Sequence, residues 1–391
     1  DVYKRQLLRY AEKFINMLTN IYAPDSKRLN DLLEEIFTHR EYYVDEERYK
    51  FSTLVMELRD ENKKKIFEYL IKKLPNNPHY YNHLARVYIY PSEKMPHTKI
   101  DFDKAVRIAL KAIEKAEATE HEGVGIHHHL LGKINTKECK YNISLSKFRS
   151  PVMTIWKHIK PIYDEAEIEF NKSMGSSNVE YGLIGKMELI SGIFNKFHQT
   201  KKSSIRAILE REPDLKRDFM ELIDKMSRYS IEYTTKYGND NRAYRNAMKD
   251  FYEALGNIAA IKSLLSMNGL TLKERLLVNR TLASLEILDG TGGKVSFYNM
   301  PEDRLQKVFD LIDANIKEST ERNRHDCLMW FQAYIRMKSC DFGRAYDFLM
   351  DWPNGDNDYY VCFYRYVIGF ILYYNNAVSY THLTLPTILL V

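Results

Sequence analysis

The sequence predicts an all-α protein, and three observations carry that reading. Glycine (16) and proline (11) are scarce in 391 residues, which leaves too few turns for an all-β fold. Apolar residues recur at helical spacing, as Phe219, Leu222, Ile223, Met226 and Tyr233 do after Leu215. Capping residues stand where such runs begin. The composition, 45% hydrophobic and 28% charged, excludes a disordered polyelectrolyte. With 58 Lys+Arg against 53 Asp+Glu the net charge is +5, mild for this length and demanding no nucleic-acid partner.

The elements follow in order. Helices are expected at 7–22 and 29–39, then at 60–74 and 78–90. The fourth opens on Asn77-Pro78, where the side-chain oxygen can accept from a free amide and proline has none to leave unpaired. Asp101 caps a helix at 102–118, and 124–143 follows. Ser150-Pro151 opens 151–174, and 179–198 comes next. Pro213 precedes 214–237, and one long helix is expected at 241–267. Thr271 with Glu274 forms a capping box ahead of 272–288. The remaining helices are 302–318, 322–338, 342–350 and 358–374. Only Lys294 to Tyr298 reads as a strand, and one strand builds no sheet.

Paired helices suggest repeats. A tetratricopeptide unit puts large, small and aromatic residues on its first helix and alternates small with large ones on its second, so that the helices approach closely. Tyr81, Leu84, Ala85 and Tyr88 match the first helix, and Ala105, Ala109 and Ala112 the second. The insert PSEKMPHT lengthens the turn by about eight residues over the 34-residue period. A longer second unit begins with His128, Leu131 and Gly132 and ends with Ala166, Phe170 and Ser173; Tyr181, Ile184 and Gly185 start a third. Downstream, Trp330, Ala333, Tyr334 and Met337 lead into Ala345 and Leu349. The expected fold is an α-solenoid of tetratricopeptide-like antiparallel pairs without significant sheet.

The segment IFEYLIKKLPNNPHYYNHLARVY (66–88), then DFDKAVRIALKAIEKA (101–116), then IHHHLLGKI (126–134) resembles the helical region after the nucleotide-binding core of STAND-class signalling NTPases. These include bacterial anti-phage sensors and antiviral proteins with sterile-alpha-motif domains. The block with Trp330, Asp341-Phe342, Trp352 and FYRYVIGFILYY (363–374) is similar in order. The resemblance implies a cytoplasmic sensor, scaffold or autoinhibitory arm, with the NTPase and effector upstream and any oligomerisation through those domains. DVYKRQ (1–6) and AVSYTHLTLPTILLV (377–391) resemble translated sequencing-adapter ends of fragments assembled from environmental DNA. On this reading the chain divides into those two ends, N-terminal helices at 7–59, repeats at 60–200, a long-helix segment at 201–290 and C-terminal repeats at 291–376.

Chemistry-bearing motifs fail on geometry. DGTGGKVSF (289–297) lacks the Gly six residues before the Lys and the Ser or Thr after it, and its flanks reverse the strand–loop–helix order of a phosphate loop. His127, His128 and His129 project about 100° apart on a helix and cannot converge on one metal. There is no Gly-x-Ser-x-Gly and no cysteine signature; the carboxylates mark amphipathic faces and helix starts. Neither a cofactor nor a metal is expected. Cys139, Cys327, Cys340 and Cys362 are scattered, which suits a reducing compartment. Tyr359 to Tyr374, interrupted by Arg365, reads as a buried helix, and no membrane partner is expected.

The chain is therefore expected to be non-catalytic and to bind a protein on a helical-repeat surface, passing that state upstream. Tyr80, Asn82, Arg86, His127 and Lys133 flank the core positions and are expected to face outward as the contact surface. The rival is a nucleic-acid-binding repeat, resting on Lys63-Lys64-Lys65, Lys72-Lys73 and Lys201-Lys202 and on 29 tyrosines.

Overall fold

The computed structural model describes residues 41–44, 47–50, 60–90, 100–119, 123–176, 178–267, 269–290, 297, 300–319, 323–352 and 359–374. Fifteen α-helices account for most of them, and the protein is all-α. The helices predicted at 7–22 and 29–39, both adapter-like ends and the strand at Lys294–Tyr298, Phe297 aside, lie outside the described residues. One short antiparallel pair, β1 (Glu41–Val44) with β2 (Glu47–Lys50), lies between the helices expected at 29–39 and 60–74 and corrects the expectation that only Lys294 to Tyr298 forms a strand. Its register sets Glu41 opposite Lys50 and Tyr42 opposite Tyr49. No helical period runs through EYYVDEERYK, but its strand propensity is easily overlooked among so many helices.

The described residues sort into two compact units. The first holds those up to Ser146, with Met153–Ile193 and Asp224–Tyr237; the second holds Lys147–Val152, Phe194–Ile223 and those from Gly238 onward.

The first unit is built on α1 (Asp60–Lys73), α2 (Pro78–Ile89), α3 (Phe102–Ala118), α4 (Val124–Leu145), α5 (Val152–Gly175) and α6 (Val179–Lys201), the last two also contributing to the second unit. Asn77 accepts from the His79 amide at 3.0 Å and Asp101 from that of Lys104 at 2.9 Å, so both predicted caps form. Helix α2 packs against α1, α3 and α4. Its Tyr81, Leu84, Ala85 and Tyr88 are buried, as are Ala105, Ala109 and Ala112 of α3. The alanines present no bulk, which lets the two helices approach closely.

Leu131, Gly132, Ala166 and Phe170 are buried too. The Phe170 ring of α5 lies against Gly132 of α4 and Gly185 of α6. A Cβ added at Gly132 would come 2.7 Å from the ring, and one at Gly185 closer still. Each glycine makes room for the same phenylalanine, one large side chain in two small-residue gaps.

The second unit contains α7 (Ile205–Arg211), part of α8 (Lys216–Tyr237), α9 (Arg242–Leu255), α10 (Ile258–Leu264), α11 (Leu272–Gly290), α12 (Glu302–Glu318), α13 (Arg324–Tyr334), α14 (Phe342–Met350) and α15 (Tyr359–Tyr374). The single helix predicted at 241–267 is two. Gly256 takes φ +69°, a left-handed conformation that ends α9, and Asn257 caps α10 by accepting from the Ala260 amide. The capping box forms as predicted: the Glu274 amide donates to Thr271 Oγ1, and the Thr271 amide to Glu274 Oε2 at 3.0 Å. Glu274 also receives Arg245 in a buried two-pronged pair, and that guanidinium donates to the carbonyls of Asn239, Asp240 and Gly269 as well. Helix α5 starts at Val152, whose amide donates to Glu212 Oε1 at 2.9 Å, a cap that Ser150-Pro151 does not reveal. Trp330, Ala345 and Leu349 are buried in one core with Phe309, Phe331 and Tyr334.

Candidate interaction surface

Of the five residues expected to face outward, three do not. Tyr80 and His127 are 0% exposed and Asn82 5%. Neighbours on three sides of α2 leave it no open half, and only the line His79, His83, Arg86 and Tyr90 escapes burial. Arg86 and Lys133 are half-buried. The pattern in the sequence located the seam but misjudged how far burial extends around it.

The three consecutive histidines reach three different helices, as their 100° divergence requires. His127 Nδ1 lies 2.6 Å from Asn82 Nδ2 of α2, and its ring is 5.3 Å from that of His79. This short contact between amide and imidazole joins α4 to α2. His128 Nδ1 lies 2.6 Å from Glu169 Oε2 of α5, whose other oxygen accepts from Lys172 at 2.7 Å. Burial opposes the charge on Glu169, but hydrogen bonds from His128 and Lys172 outweigh it and hold the carboxyl below its usual range. A carboxylate only accepts, so His128 donates from Nδ1. His129 packs beside the rings of Phe170, 5.4 Å away, and Tyr181, 6.1 Å away. Burial lowers its pKa to about 3, assisted by the charges of Lys133 and Arg86, so it is neutral at physiological pH. These contacts tie α4 to its neighbours and leave the three rings apart; among the described residues no group of three His, Cys, Asp or Glu is placed to hold a metal ion.

An open line remains beside this seam. On α4 it runs through Ile126, His129, Lys133, Lys137 and Lys140, and on α2 through His79, His83, Arg86 and Tyr90. The Lys137 ammonium sits 3.6 Å from the centre of the Tyr90 ring, and Lys133 pairs with Glu188 of α6. Burial, with Lys140 alongside, lowers Lys137 to about 8. Sequence reasoning named Arg86 and Lys133 but missed Lys137 and Tyr90. Their signal was the spacing of Lys133, Lys137 and Lys140, which places three cations on one helix face.

The basic runs behind the nucleic-acid reading are partly interior. Lys63 is buried, and the Lys201 ammonium donates to the carbonyls of Lys147 and Ser150, both at 2.8 Å, and of Phe148 at 3.4 Å. None of the four cysteines forms a disulfide, and burial raises the Cys139 thiol. No described helix is long and apolar enough to cross a membrane. Compared with family models and with curated proteins, the chain gives no match.

Proposed function

We propose that this chain is a non-catalytic protein-interaction and sensor region of a larger cytoplasmic STAND-type NTPase, which binds a protein and relays that state to upstream domains. The observation that carries the interaction reading is the row of first helices. Asn82 joins α2 to α4, and Phe170 fits against both α4 and α6, so an open line of side chains crosses neighbouring helices. Repeats stacked in this way present extended surfaces to partners. The assignment to a STAND protein rests on the resemblance of 66–88, 101–116 and 126–134.

Site-specific photo-crosslinking in cells tests the interaction. A crosslinker at the exposed Tyr90 should capture a defined protein, and one at the exposed Leu110 of α3 should not. Equal capture at both positions, or none at Tyr90, would refute the assigned surface. Nucleic-acid adducts at Tyr90 would favour the rival reading, which otherwise loses Lys63 and Lys201 to the interior.

A further inference from the structure

The open line of α2 and α4 carries more positive charge than its surroundings answer. Lys133 has Glu188, but among the described residues no carboxylate lies within ion-pair distance of Arg86 or Lys137. Both are half-buried, and a cation removed from water without a counter-charge is unfavourable. The two are linked through Tyr90, which lies one turn after Arg86 on α2 and under the Lys137 ammonium. His129, between Arg86 and Lys133, is neutral and supplies no charge.

We propose that this line is the docking site of an acidic peptide segment of a protein partner, its carboxylates on Arg86 and Lys137 and its apolar side chains against Ile126 and Tyr181. The proposal rests on the protein-interaction reading above. Charge and dimensions favour a peptide. From Lys133 to Lys140 the face runs about 10 Å at the helical rise, and an extended peptide sets same-side residues about 7 Å apart, so two carboxylates fit along it. The planar guanidinium of Arg86 matches a carboxylate in two-pronged geometry. The flanks are the exposed Ile126 and Tyr181 and the acidic Glu188, which suit peptide side chains and give phosphates no continuing track.

Panning a random peptide library against the full chain, then titrating recovered peptides by fluorescence anisotropy, tests this. Acidic peptides should be enriched, and their affinity should fall about 30-fold in Arg86→Gln and in Lys137→Gln but not in Lys72→Gln, on an exposed site of α1. If Arg86→Gln loses helical circular dichroism, Arg86→Lys, which keeps the charge and loses the fork, should still weaken binding. Enrichment of non-acidic peptides would overturn the charge assignment while leaving the protein-interaction reading intact. No enrichment at all would count against both. Displacement of the acidic peptides by a 20-nucleotide RNA at equal salt would reassign the line to phosphates and overturn the proposal.

Discussion

Around Phe170 and around Trp330 the chain stacks helices in sequential order, yet it divides the volume between them differently. In the first seam two glycines from α4 and α6 meet one phenylalanine from α5. In the second, large rings meet large rings: Trp330 stacks on Phe348 with centroids 3.8 Å apart and packs against Tyr334 at 4.8 Å and Phe309 at 5.3 Å. Polar groups are placed in contrasting ways too. The Phe170 seam is bordered by the buried pairs Asn82–His127 and His128–Glu169. At the Trp330 seam the indole donates to Asp313 at 2.8 Å and the exposed Arg344 guanidinium covers Phe309, Trp330 and Tyr334. A repeat pattern thus requires large residues to interlock without prescribing which helix yields space.

Substitutions can break this contrast, the largest effects first. Phe170→Ala and Trp330→Ala should each lose about 3–5 kcal/mol in chemical denaturation, since both rings are buried. Gly185→Ala should lose about 1–3 kcal/mol by overpacking, and Phe170→Leu in the same chain should recover part of that loss. A neutral Gly185→Ala would show that the glycines do not set the seam. The pH response is a third discriminator. His129 is held near 3 when folded against 6.5 when free, so the unfolded chain takes up the proton first as pH falls. The stability is whole above 6.5 and declines toward 3; Glu169, also held low, acts in the same direction over the carboxylate range. Melting temperature should follow that decline, and His129→Gln should flatten its upper part. The smallest effect is a gain. Lys202 has φ 50°, and Lys202→Gly should add about 1 kcal/mol in the same denaturation assay by relieving a left-handed conformation.

Much of the fold was legible because caps and small residues act locally. Asn77, Asp101 and the Thr271–Glu274 box mark their helices with the bonds expected of them. The glycines at 132 and 185 were readable as small positions, although the single phenylalanine they share was not. The break at Gly256-Asn257 carried the signs of a helix end followed by a cap, which the apolar period across 241–267 masked. The candidate surface was less legible. Tyr80, Asn82 and His127 have polar tips that suit a surface in isolation, and only the packing of α2 against its neighbours, α4 among them, buries them. A helix records its own amphipathic face but not how many partners will crowd around it. The Lys137–Tyr90 contact joins residues brought together by tertiary packing alone.

Among the described residues, the helix pairs α2–α3, α11–α12 and α12–α13, which share long seams, are each adjacent in sequence. Loops of that kind close at small entropic cost, and rates rise as contacts become more local. The α2–α3 pair can consequently collapse before the glycines of α4 and α6 meet Phe170, and structure can accumulate in the order in which the ribosome releases the chain.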